Sequence, residues 1–280
     1  MNDIPYLLRG VSKLSTESST LISSSKYLND PRLREWIAEI VLKQNGPDMP
    51  PQAEMYPVIA LLDELQDKPR IEALFTAERA KNPALDAWFT EGFVSDYGPD
   101  YFTQFGAGTL GRLFYDEVIA KNFEIVIYEK PPPKTQLDYF LLRSGQTHDL
   151  EHIMTGGDFS YMGELVPAWF RITNHFKHLS PELASELSTS YMFVTLRYTV
   201  RTLLHYPEVW TTCQDAIQRG MKCGRASGPL FLAKYEDLFH LSLEEARAAR
   251  DIHDAVFADT SAASAVWAAR PNASPSAALV

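Results

Sequence analysis

Residues 135–157 read TQLDYFLLRSGQTHDLEHIMTGG. Thr135 and Asp138 make a T-x-x-D capping box and Gly156-Gly157 supplies a stop, so the residues between are predicted to form one long helix. His148 and His152 lie four apart within it. At about 100° per residue they sit about 40° apart and share a face. Leu137, Phe140, Leu141 and Ser144 fall on that face, which is therefore expected to turn inward.

The helical reading extends in both directions. From Leu137 to Asp254 there are four Val and four Ile, too few to build the interior strands of a sheet. Ser180-Pro181-Glu182 opens a long apolar helix to about Tyr206, and Ser242 with Glu245 caps a last one to about Ala255. Upstream, Asp30-Pro31 and Asn82-Pro83 each pair a cap with a first-turn proline. A break at Gln44–Pro57 precedes a helix near Val58–Leu65. The expected fold is mostly α, a single helical-bundle-like domain over residues 30–258 with few or no short strands. Residues 1–29 read as a flexible segment. Residues 259–280, rich in Ala, Ser and Pro, read as a disordered tail that Trp267 alone could anchor.

Composition excludes several classes. Lys and Arg total 26 against 36 Asp and Glu, a net charge of −10, which argues against a general nucleic-acid partner. Cys213 and Cys223 match no metal or redox spacing and read as reduced thiols. The most apolar charge-free run, Leu187 to Leu196, has ten residues where a bilayer span needs about twenty. The N-terminus lacks the apolar core of a secretory signal, and the expected location is cytoplasmic.

Gly106-x-Gly108-x-x-Gly111, with Glu129 closing a strand-like EIVIYE, matches a dinucleotide fingerprint. That fingerprint needs a buried strand ahead of it and a parallel sheet around it. Asp96–Phe102 makes a poor buried strand and the downstream half has no strands to spare. The glycines read instead as a turn before a packed helix.

The histidines carry the stronger signal. All seven lie at or after position 148. Two imidazoles four apart, with carboxylates beside them, are a pattern that holds a divalent ion. Asp149 and Glu151 are placed almost symmetrically about the pair. Read as H-x-x-E-H, the segment makes Glu151 a general base; read as H-D-x-x-H, it makes Asp149 a ligand or a ligand's support. Glu164 follows at the mouth of the next helix, with Pro167 in its first turn. Leu165, Val166, Trp169 and Phe170 would pack that helix on the first and aim Glu164 at the histidines.

His148-Asp149-x-x-His152, eleven residues, then Glu164 resembles the H-D-x-x-H-x11-E signature of the coenzyme Q biosynthesis protein 4 family. Gly156, the Gly163-Glu164 pair, Trp169-Phe170, Gly108-Thr109-Leu110-Gly111-Arg112 with Tyr115, and Gly224-Arg225, Tyr235-Glu236, Leu243 and Arg247 agree with it, over about Gly106 to Asp254. The resemblance implies a mostly helical protein of ubiquinone biosynthesis, peripheral to the inner membrane. It implies a divalent zinc, iron, manganese or cobalt ion held by His148, Asp149, His152 and Glu164. The implied reaction is oxidative decarboxylation of a polyprenylated hydroxybenzoate at ring carbon 1; a non-catalytic prenyl-lipid scaffold is the alternative. Implied partners are the prenylated aromatic lipid and other ubiquinone-biosynthesis enzymes, and a homodimer is allowed. The Leu187–Leu204 helix and the Trp169-Phe170 face are expected to shelter the tail, and Arg143 to meet either the substrate carboxylate or a nearby acid. Three departures stand out: Gly145 where a second basic residue is usual, Ala168 for a lysine, and Arg171 for an acid.

Overall fold

Local signals set most of the helix boundaries. In the computed structural model, which describes residues 22–42, 44–45, 55–121 and 132–269, α1 (Pro31–Leu42) follows Asp30, whose carboxylate accepts the Arg32 N–H. Helix α2 (Met55–Leu65) starts inside the predicted break, with Pro57 in its first turn, where a missing N–H costs nothing. Asp67 and Asn82 cap α3 (Lys68–Arg79) and α4 (Pro83–Glu91), and Thr109 caps the short α5 (Leu110–Phe114), which runs on as a π-helical turn. The predicted capping box and glycine stop bound α6 (Gln136–Thr155). Then come α7 (Leu165–His178), α8 (Pro181–His205), α9 (Trp210–Ala226), α10 (Leu243–Ala249) and α11 (Ser261–Ala268). Helix α10 stops short of Ala255 because the chain beyond it turns, with Asp251 and Asp254 in the left-handed region.

The fold is mostly α, as predicted. Among the described residues there is no strand, and two isolated bridges, Thr109–Ser242 and Gly157–Ala258, are the β pairings. The strand-like EIVIYE lies outside the described residues, as do residues 1–21 and 270–280. Among the described residues no helix is long and apolar enough to cross a membrane.

Helix α7 is the axis, packed by α9, α8 and α6. It meets α9 almost backbone to backbone. A Cβ on Gly220 would lie 2.4 Å from the Val166 carbonyl oxygen, and one on Gly224 2.6 Å from that of Phe170. From α7, Phe170 joins Leu150 and Met154 of α6, whereas Leu165 and Val166 face Cys213 and Ala216 of α9. The expected stripe is thus divided between two neighbours. The cysteines are free and buried, and burial pushes both thiols up to about 11.

Three expectations are corrected. Leu141, placed on the inward face, is 43% exposed, because α6 turns its Leu137 and Phe140 edge into the core instead. Within the predicted flexible segment, Tyr27 is anchored: it is buried, its hydroxyl donates to Glu186 over 2.5 Å, and Lys26 pairs with the same carboxylate. Within the predicted tail, residues 261–268 form α11. Trp267 is fully buried and stacks on Tyr198 at 4.9 Å between centroids, while Asn45 Nδ2 donates to its carbonyl. Burying one indole outweighs the weak helix signal of this Ala/Ser run.

Trp267→Ala is expected to lower unfolding stability by roughly 3–5 kcal/mol, the usual cost of a large core truncation. Chemical denaturation measures it, and an unchanged midpoint would contradict the packing of α11.

Candidate metal centre

The long α6 aims its two histidines, and the turn after it brings the third group back. Glu164 occupies the N-cap position of α7, yet its side chain makes no capping bond. Its Oε2 instead lies 3.3 Å from His148 Nε2 and 3.4 Å from His152 Nε2. The three donor atoms lie within 4.8 Å of one another. Bonds of 2.0–2.1 Å to a tetrahedral ion place neighbouring ligand atoms roughly 3.3 Å apart, so the two carboxylate–imidazole separations fit a shared cation.

The far nitrogens settle which ring atoms are available. His152 Nδ1 lies 2.9 Å from the Asp158 carbonyl oxygen, an acceptor only, so Nδ1 carries the hydrogen and Nε2 keeps a lone pair. His148 Nδ1 is held in the same way by Asp149 Oδ1 at 2.9 Å. Both rings therefore present unprotonated Nε2 atoms when neutral, the arrangement that suits metal ligation. His152 is fully buried, stacks on Phe159, and its Nε2 has no hydrogen bond. A buried, unbonded lone pair facing a carboxylate is repelled unless a proton or a metal ion sits between them.

Of the four expected ligands, the structure brings together His148, His152 and Glu164. Asp149 stands outside that group, on the reverse side of His148, where it orients the ring. Glu151 is 2% exposed and turned away: Arg171 donates to it from Nε at 2.5 Å and from Nη2 at 2.9 Å, and Thr147 adds a third bond. A carboxylate so engaged is not placed as a general base at the histidines. Arg171, the unexplained departure, is thus the partner of Glu151. Arg143 meets a nearby acid, with Nη1 and Nη2 at 3.0 and 3.1 Å from Glu236.

His148 and Glu164 are 34% and 36% exposed, and their open side gives onto a cleft of about 500 Å³. Phe159, Tyr161 and Tyr198 line it, and α11 closes one wall through Ser261, Ser264, Ala265 and Ala268. Burial and the neighbouring Glu164 raise Tyr198 to about 12, leaving a neutral phenol. A second, more apolar cleft of about 530 Å³ begins behind Phe159 and His152 and includes Leu113, Ile153, Leu243 and Phe257. From the helix expected to shelter a tail, Tyr198 lines the first cleft, Leu187 packs in the core, and Leu203 and Leu204 face solvent. Sequence reasoning missed α11 as a wall and Asp158 as an anchor, since both act through contacts distant in sequence or through a backbone carbonyl.

No protein-family profile matches the chain, and no curated protein matches it. Among solved structures it is similar to a protein from Nostoc punctiforme PCC 73102 assigned a provisional role in ubiquinone biosynthesis. The TM-score is 0.57 and the identity 21%, over 78% of this chain and 93% of that one. The likeness establishes a shared fold.

Without an ion, the site holds a proton instead. Burial opposes a charged His148, but Glu164 and Asp149 outweigh it and raise the imidazole to about 10. Burial also opposes the Glu164 anion, yet His152 and His148 outweigh it and hold that carboxyl well below the usual range. A folded-state value raised from about 6.5 stabilises the protein fully below that pH and is lost on the way up to about 10. The depressed Glu164 contributes above about 4.5 and is lost as pH falls below it. Metal-free stability should therefore decline from pH 6.5 to 10, and His148→Gln should flatten that decline; parallel slopes in pH-resolved melts would contradict the coupling. Asp149→Asn should weaken Co(II) binding about 10–100-fold while leaving stoichiometry unchanged; equilibrium titration checks it.

Proposed function

We propose that this chain is a divalent-metal protein of ubiquinone biosynthesis that acts on a polyprenylated hydroxybenzoate ring, exchanging the carboxylate at ring carbon 1 for hydroxyl. The observation that carries this reading is the convergence of two Nδ1-anchored imidazoles and the Glu164 carboxylate at the end of an aromatic-lined cleft. Two histidines and one carboxylate with an open side suit zinc, manganese, cobalt or, for oxygen chemistry, iron. The shared fold with the Nostoc protein, whose assigned role is in the same pathway, supports it, as does the spaced His148-Asp149-x-x-His152…Glu164 pattern.

The net change breaks the bond between ring and carboxylate, releases carbon dioxide and forms a ring carbon–oxygen bond. It is a two-electron oxidation: in the proposed balance water supplies the hydroxyl oxygen, and dioxygen takes up the electron pair and leaves as hydrogen peroxide. A divalent ion at the triad supplies Lewis acidity that favours the negative charge developing on the ring as carbon dioxide leaves. The remaining work belongs to the chain. Phe159 and Tyr161 flank the space where the ring would lie, and the neutral Tyr198 phenol is a hydrogen-bond donor for a ring oxygen. Arg143 and Arg171 are committed to buried acids, so the substrate carboxylate would face the cation, not a guanidinium. The second cleft, reached past Phe159, is where the prenyl tail would run, against Leu113, Ile153, Leu243 and Phe257, with Glu117, Lys121 and Arg247 also in its lining. A substrate of this kind comes from a lipid phase, so peripheral contact with the inner membrane and with neighbouring pathway enzymes belongs to the same proposal.

Metal-loaded protein given a polyprenylated hydroxybenzoate under air should release the decarboxylated hydroquinone. His148→Ala and Glu164→Ala should lose metal content together and cut turnover by at least about 100-fold, as loss of a ligand implies. Lipid retained with no product in any metal form would favour the non-catalytic scaffold. Product formation undiminished in both variants would overturn the proposed centre.

A further inference from the structure

Two of the three convergent groups, His152 and Glu164, flank a turn, residues 156–163, that is not free to set its own shape. Asp158 is its hub. Its carbonyl oxygen takes the His152 Nδ1 hydrogen bond, and its carboxylate accepts from the hydroxyl and backbone N–H of both Thr260, at the start of α11, and Ser160. Thr260 Oγ1 lies 2.9 Å from Oδ1, the Thr260 N–H donates to Oδ2, and Ser160 Oγ lies 2.7 Å from Oδ1. Ser264, one turn along α11, donates or accepts with Ser160 Oγ at 2.7 Å and accepts the Met162 N–H at 2.9 Å. Ser160 in turn supplies the carbonyl that accepts the Glu164 N–H. Thr260 and Ser264 are each 3% exposed, so these bonds are shielded from water. The turn closes tightly enough that a Cβ on Gly163 would lie 1.9 Å from Asp158 Oδ1.

We propose that Thr260, Ser264 and Asp158 form a clamp through which α11 positions the triad, fixing the tautomer and aim of His152 and the distance from it to Glu164. They are positioning residues: none is among the converging donor atoms. The clamp rests on the metal-centre reading only for its purpose, because its effect on the His152 ring exists with or without an ion. The physical reason is that a lone carbonyl bond orients a ring only if the carbonyl itself is held. Here the peptide carrying it is tied down by its own carboxylate to a helix more than a hundred residues away. Trp267, buried at the other end of α11, keeps that helix seated.

The test compares wild type with Thr260→Val/Ser264→Ala, with Thr260→Ser as the conservative control and Ser264→Ala as a milder single variant should the pair fold poorly. Long-range proton–nitrogen NMR of the metal-free protein reads the His152 ring, and Co(II) titration with visible absorption reads the assembled centre. Wild type should show one ring state, with the hydrogen held on Nδ1. The double variant should show mixed tautomers and a Co(II) affinity lower by about 10–100-fold, the usual effect of losing a ligand's outer partner. Thr260→Ser should restore both, and Ser264→Ala alone should move both in the same direction by less. An unchanged His152 ring in the folded double variant overturns the clamp, whatever the cobalt result. If wild type takes up no Co(II) while the ring still responds, the clamp stands and the metal-centre reading falls.

Discussion

The imidazole nitrogen of His152 that faces Glu164 is the constraint on which the rest of this structure depends. It is buried without a hydrogen bond, a situation that ordinarily costs about 1–3 kcal/mol. The protein holds it there from three sides: the Asp158 carbonyl behind the ring, Phe159 stacked on its face, and α6 packed on nearly every side of the histidine turn. A histidine satisfied for stability alone would use both nitrogens. This one turns an unbonded nitrogen toward a carboxylate and a second imidazole, the arrangement on which the proposed cation site rests.

The acids and bases around the site fall into two groups with different roles. Glu151 with Arg171, and Glu236 with Arg143, are buried pairs whose oxygens and guanidiniums are mutually engaged. Breaking either by removing one partner would leave an uncompensated buried charge, which is strongly destabilising. They fasten α6 to α7 and to the segment at 236, and so hold the two histidines at a fixed height. Glu164 is partly open to the cleft and faces both Nε2 atoms, whereas Asp149 lies behind His148 on its Nδ1. Two acids two residues apart in THDLEH thus point to different sides of one helix, as a 200° separation at helical pitch requires.

The sequence made the helical class legible through caps, prolines and the shortage of β-branched residues, and α6 was delimited almost to the residue by its capping box and glycines. Helix α3 was not legible, since KPRIEALFTAER has only a diffuse apolar stripe and its Asp67 cap is an ordinary loop residue. The spacing His148, His152, Glu164 was legible as a set, but the choice between Asp149 and Glu151 was not: the wheel places them symmetrically, and Arg171, twenty residues on from Glu151, breaks the symmetry. The role of α11 lay beyond reach for a similar reason. Its Ala/Ser composition reads as unstructured until Tyr198 and Tyr206 supply the pocket that Trp267 fills. Tertiary packing overrode composition there, and the same packing completes the cleft.

The central claim is that one cation belongs between three named atoms. X-ray absorption at the cobalt edge on protein loaded with a single equivalent of Co(II) tests it most directly. The account predicts two imidazole nitrogens and a carboxylate oxygen at roughly 2.0–2.2 Å, with one imidazole scattering contribution lost in His152→Ala. A spectrum showing only water and carboxylate oxygens, or one unaltered by that substitution, would contradict it.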